Sequence, residues 1–221
     1  MKDLLGKWKS FLNESSLSRV HKFIYSTETA ILTAFRNDPN DMSKCVDDAL
    51  RGGEDLPPEV KGKGGRTGVQ LRVNKQRNRD LKATLLSLNY GVTRVGGNYV
   101  EDFDTPQAVE VGEESYIVVN LPEASDFIDN IIMLGKKFCQ DSVLIIPAGG
   151  EGAHLYGTNY SEFPGLGQTV QVGNIKPGEE AEFMTRVNSR PFTFTEGLET
   201  YRDLSRNERM AVKNIAKTIL D

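Results

Sequence analysis

Two apolar helical stretches, each set between runs that read as strands, limit what this chain can fold into more than any other feature. Leu81, Leu85 and Leu88 recur at helical spacing and stop at Asn89-Tyr90-Gly91, where a glycine ends the helix. Asn74 or Asn78 is the expected cap at its start. Phe127, Ile128, Ile131, Ile132, Leu134 and Phe138 form a second apolar face, which Ser125 is placed to cap. Residues 29–35 read as a buried strand ending at Arg36, and residues 116–121, 142–147 and 153–158 as further strands. Residues 91–95 and 98–101 flank Gly96-Gly97, which suits a two-residue hairpin turn needing positive φ twice. The order is strand, helix, paired strands, strand, helix, strand, strand. That order predicts an α+β fold: a ferredoxin-like sandwich with two helices on a mixed or antiparallel sheet. The competing arrangement is an irregular α+β fold with the hairpin at an edge.

The chain divides into residues 1–14, an α+β domain over 15–195, and a C-terminal helix over 196–221. The domain carries a long insert at 37–73, punctuated by Pro39, Gly52-Gly53, Pro57-Pro58, Gly62, Gly64-Gly65 and Gly68. Loops of that length are functional or disordered, and a short helix around residues 43–50 is expected within it. Residues 182–187 and 192–195 suggest a late hairpin. Ser205 and Glu208 form a capping box at the start of the last helix.

Composition narrows the function. A hydrophobic share of 38% with 21 glycines implies a modest core with long loops. The net charge of −4 argues against nucleic-acid binding by bulk charge. Cys45 and Cys139 stand far apart, so neither a disulfide framework nor a zinc site is expected, and a reducing compartment fits. No apolar run approaches the roughly 18 residues that span a bilayer, so no membrane role is expected. The two histidines, His21 and His154, are isolated, and no metal or cofactor is indicated.

Two constellations could carry chemistry. Lys61, Lys63, Arg66, Arg72, Lys75, Arg77 and Arg79 occur without an acid among them, between glycines. Such a stretch can follow a phosphate chain, although it lacks the phosphate-loop pattern and any aromatic for base stacking. The plain reading is a solvated basic loop. The second set lies at element ends: Arg36, Asn78, Glu101, Glu114, Gln140, Asp141, Thr158 and Asn159. Arg36 with the carboxylates Glu101 and Glu114 could bind a nucleotide or perform acid–base work. The others suit caps and turns. Cys45 has Lys44 beside it but Asp47 and Asp48 just after, which gives no sign of a lowered thiol pKa.

Residues 1–14 are Lys-rich and amphipathic, with Leu4, Leu5, Trp8, Phe11 and Leu12 on one helical face. Met1-Lys2, Phe11-Leu12 and Asn13-Glu14 resemble the capsid-targeting peptides of T-even-like phages. That resemblance implies processing after Glu14 and packaging in the phage head. The plain alternative is an ordinary N-terminal helix packed on the domain. The body, through residues 30–36, 78–91, 97–101, 114–119, 140–143 and 155–159, resembles an uncharacterised family of small phage and bacterial proteins. That second resemblance implies no mechanism. Together they lead to the expectation of a non-enzymatic, virion-packaged or ejected binding protein acting on a host factor. Its partners would be a host or virion protein, or nucleic acid through residues 61–79. Its location would be the virion head interior or the host cytoplasm. The alternatives are an enzyme acting on a nucleotide or nucleic acid, and a structural part of the virion.

Overall fold

A computed structural model describes residues 22–36, 38–52, 68–101, 109–173, 192–194 and 199–220. After a helical turn at residues 22–26, the elements are β1 (Thr29–Leu32), α1 (Gly68–Ser87), β2 (Gly91–Glu101) and β3 (Val109–Val119). Then come α2 (Phe127–Lys137), β4 (Ser142–Ile146), β5 (Ala153–Gly157), β6 (Thr169–Gly173), β7 (Phe192–Phe194) and α3 (Arg206–Leu220). The strands form one antiparallel sheet in the order β6-β5-β4-β1-β3-β2-β7. Its inner four, β4-β1-β3-β2, have the connections of a split β-α-β-β-α-β unit, so the α+β sandwich holds.

Side chains alternate across the sheet with the strand period of two. One face presents Ala30, Leu32, Val118, Val143 and Ile145 to Leu81 and Leu85 of α1 and to Phe127, Ile131 and Leu134 of α2. The other gathers Ile31, Val95, Ile117, Leu144, Ile146 and Leu155 with Ile24. Tyr90 meets Phe127 edge-to-face at 4.9 Å and accepts a hydrogen bond from Asn130 at 2.9 Å, joining the end of α1 to the start of α2. The helix α3 lies against α1 and buries Ala216 and Ile219. Its Ser205–Glu208 capping box forms as expected.

Several local expectations are corrected. The first helix begins at Gly68, so Asn74 and Asn78 are interior residues rather than caps. Gly96 and Gly97 do not turn. They lie within β2, opposite Glu114 and Glu113, with β7 on the other side. Glycine permits a turn without requiring one, and pairing on both flanks satisfies the extended backbone here. Asp126, not Ser125, occupies the cap position of α2, without a side-chain capping bond. Residues 43–50 form turns instead of a helix. Cys45 and Cys139 are joined in a disulfide across 94 residues of chain, against the expectation of unpaired thiols. Their meeting is a tertiary event, since residues 38–52 fold over the C-terminal end of α2, and no spacing rule reports it. Residues 1–14 with Glu14, the cations Lys61, Lys63 and Arg66, and residues 182–187 lie outside the described residues.

Candidate active site

The helix α1 carries Asn74, Asn78 and Lys82 four residues apart, hence in one line along its surface. Each makes a tie across the sheet margin. The Asn74 side chain accepts from the Arg36 amide at 3.0 Å and donates to the Arg36 carbonyl at 2.7 Å. Asn78 accepts from the Ala34 amide and donates to the Glu114 carbonyl, both at 2.7 Å. Lys82 pairs with the Glu199 carboxylate at 2.6 Å. Thr33 donates a second hydrogen bond to the Glu114 carbonyl at 2.7 Å. Two donors, the buried Asn78 and the half-buried Thr33, thus fix the main chain of Glu114 on its strand.

The Glu114 side chain is left half open. Its carboxylate faces the guanidinium of Arg94 on β2 at 3.5 Å, and the two side chains are 32% and 34% exposed. A pair this open contributes little to stability, so it can be exchanged for a ligand at small cost. Gly96 is the residue directly opposite Glu114, so no side chain stands directly across from it, and Arg94, two residues away on β2, reaches the carboxylate. Beyond this point β2 and β3 continue as a two-stranded arm to the pair Glu101 and Val109. The site is the root of that arm, where a charged pair adjoins the buried Tyr116.

A second polar cluster, at the end of β1, is closed. Arg77 sends Nε to the Ala34 carbonyl at 3.0 Å, Nη1 to Leu50 at 2.9 Å and Nη2 to Phe138 at 2.6 Å. Its guanidinium lies 5.4 Å from the centre of the Phe138 ring. Burial pushes its pKa down to about 10, and the nearby Arg36 adds to the effect. The Gln140 amide donates to the carbonyls of Phe35 and Phe138, and Thr158 donates to the Gln140 carbonyl. Asn159 donates to the Asp141 carboxylate at 2.8 Å. Arg36 donates to the Asp41 carbonyl at 2.7 Å and lies 3.1 Å from the Cys45 sulfur. Burial lowers its pKa against the opposing pull of Asp41, Asp141 and Asp38.

Most of the residues picked at element ends therefore do converge, but on one another and on main-chain groups. The expected trio does not gather. Arg36 turns toward residues 38–52, whereas Glu114 turns toward Arg94. The Glu101 backbone lies five residues along β2 from Gly96, roughly 17 Å at strand rise. Of the basic stretch, Arg72, Lys75 and Arg79 are exposed on α1, while Arg77 is an internal tie. Arg94 was not singled out from the sequence. The signal that could have found it is its strand position, two residues before Gly96 and so on the same face as the residue opposite Glu114.

A groove of about 530 Å³ runs elsewhere, between residues 38–52, α2 and β5, with Val46, Asp48, Asp129, Met133, Lys136 and Tyr156 among its lining. Among the described residues, no group of three or more acidic, histidine or cysteine side chains is arranged to hold a metal ion. No described helix is long and apolar enough to cross a membrane.

Among known proteins, no curated sequence and no solved structure matches the chain. A family model does: the S-Adenosylmethionine lyase family matches residues 64–201, which contain α1, the β2–β3 arm, Arg94 and Glu114. The groove draws Val46 and Asp48 from outside that span. The family is named for a catalysed reaction, and this overturns the expectation of a non-enzymatic binding protein. Because the match covers more than half of its 221 residues, the chain belongs to the S-adenosylmethionine lyase family.

Proposed function

We propose that this protein is an enzyme that cleaves S-adenosylmethionine without adding water, at the root of the β2–β3 arm. The observation that carries the reading is the family match over residues 64–201. The substrate has a sulfonium, an α-ammonium and an α-carboxylate on one short chain. An acid and a guanidinium side by side complement that zwitterion. In this reading Glu114 accepts from the ammonium. Arg94 holds one carboxylate oxygen and leaves the other facing the carbon next to sulfur.

A lyase on such a substrate needs no external nucleophile. The free carboxylate oxygen attacks the γ-carbon and a C–O bond forms. The C–S bond breaks with its electron pair on sulfur. The products are a neutral thioether nucleoside and a five-membered lactone that keeps the ammonium. The step annihilates a positive and a negative charge, so a setting less polar than water favours it. Holding the chain folded supplies most of the remaining acceleration. The rigid main chain of Glu114 suits that positioning task.

Purified protein incubated with S-adenosylmethionine in 18O-labelled water tests this. Chromatography with mass detection should find 5′-methylthioadenosine and a lactone free of 18O when first formed. Unchanged substrate, or a first product carrying solvent oxygen, would contradict the reading.

A further inference from the structure

Residues 38–52 are held over the end of α2 by more than their disulfide. The Leu50 amide donates to the Lys137 carbonyl at 2.7 Å, Arg77 donates to the Leu50 carbonyl, and the Tyr160 amide donates to the Lys44 carbonyl at 2.8 Å. Opening the sulfur–sulfur bond therefore leaves Cys45 in place. The two sulfurs have unlike surroundings. The Cys45 sulfur lies 3.1 Å from an Arg36 nitrogen. The Cys139 sulfur lies 3.8 Å from the Asn159 amide and sits just past the C-terminus of α2, where the helix dipole opposes negative charge. Cys45 is 8% exposed and Cys139 1%, so a small reagent reaches Cys45 first.

The other charges near Cys45 are Arg77 from α1, Asp38, Asp41, Lys44 and Asp47 from its own segment, and Asp141 before β4. Asp38 accepts from the Asn40 amide, Asp41 from the Ser43 amide and Asp141 from Asn159, and all three also act on Arg36. Asp48, further along, faces Lys137 at 3.6 Å. The sulfur lies 3.5 Å from the Asp41 carbonyl, but the charged group in contact with it is the Arg36 guanidinium, and a cation beside a thiol lowers its pKa.

We propose that Cys45–Cys139 is a thiol–disulfide exchange site for small thiols, with Cys45 the reactive sulfur and Arg36 the group that holds its thiolate. A small thiolate attacks the Cys45 sulfur and a mixed disulfide forms. The bond to Cys139 breaks, and that sulfur takes the electron pair and a proton from water. A second thiolate attacks the small-molecule sulfur, and Cys45 leaves as a thiolate against Arg36. Two thiols are oxidised to one disulfide while the protein cystine is reduced. A small disulfide reverses both steps and closes the bond. None of this depends on the lyase reading.

The test uses the full chain. Peptide mapping of air-oxidised protein without reductant should show Cys45 and Cys139 in one cross-linked species. After reduction with dithiothreitol and desalting, the folded protein is alkylated with iodoacetamide from pH 5.5 to 9, and each cysteine is followed by mass spectrometry. Cys45 should react at least about tenfold faster than Cys139, with its midpoint below the ordinary thiol value of about 8.5. Arg36→Met should slow Cys45 roughly tenfold at pH 7, and Arg36→Lys should restore part of the rate. Absence of the cross-link, equal rates for the two cysteines, or an Arg36→Met rate equal to wild type would overturn the proposal. Should Arg36→Met fail to fold, the rate ratio and midpoint of the unsubstituted protein decide.

Discussion

Arg77 and Arg94 are both arginines within the family-matched span, and the fold uses them in opposite ways. Arg77 is buried, gives its donors to three main-chain carbonyls, and joins β1, residues 38–52 and the end of α2. Arg94 is a third exposed and faces a carboxylate across one strand. Around Arg77 the first cluster is closed: its guanidinium is given to main-chain carbonyls inside the protein rather than held open to a ligand. The second has a fixed backbone and a loosely held charge, the combination a site needs to bind and release. What distinguishes structure from chemistry here is whether the network has an open end, and residue type alone does not report that.

The same substitution at both arginines sharpens the contrast. Arg77→Gln removes donors from buried carbonyls and should lower unfolding free energy by about 3–5 kcal/mol in denaturant titration. A loss under about 1 kcal/mol would mean that the cluster is not closed. Asn78→Ala should come next, at about 1–3 kcal/mol, since it leaves the Ala34 amide without its acceptor and the Glu114 carbonyl without one of its donors. It should also reduce turnover of S-adenosylmethionine beyond what the stability loss explains, because Glu114 is no longer held. Arg94→Gln should change stability by less than about 1 kcal/mol while raising KM for S-adenosylmethionine, measured by steady-state kinetics.

The smallest effect concerns Asp80, on α1 beside the closed cluster. Burial raises its pKa, against the opposing pull of Gln76, Arg79 and Arg77. The folded state then keeps that proton to higher pH than the unfolded chain. The resulting stabilisation is fully present below the ordinary carboxylate range and is lost as pH rises through the raised value. Asp80→Asn should remove that slope, and solvent screening should keep the difference under about 1 kcal/mol in thermal melts at graded pH.

The sandwich could be read from the sequence because its strands and α2 are built by apolar burial, which leaves a period. The first half of α1 could not, because its inner face is Gln70, Val73, Asn74, Arg77 and Asn78. Hydrogen bonds to distant main-chain groups hold that half, and such bonds leave no apolar repeat. The same cause turned Asn74 and Asn78 into expected caps. Gly96-Gly97 suggested a turn because a short window shows what glycine allows, not what flanks it in space. Glu114 was noticed, but its neighbour Arg94 is set by strand register, which two separate sequence windows do not contain. The expectation of a binding protein rested on the targeting-like residues 1–14 together with the lack of a catalytic motif. A reaction in which the substrate supplies its own nucleophile needs few protein groups, so that lack carried no weight.

The most direct test of the open site is the turnover of Glu114→Gln at a temperature where it is as fully folded as the unsubstituted protein. The substitution keeps the shape and the main-chain bonds while removing the charge that would take the substrate ammonium. Melting should stay within a few degrees of the original, and kcat/KM for S-adenosylmethionine should fall by about a hundredfold or more. Turnover equal to the original, from a correctly folded Glu114→Gln protein, would contradict the placement of the active site at the root of the arm.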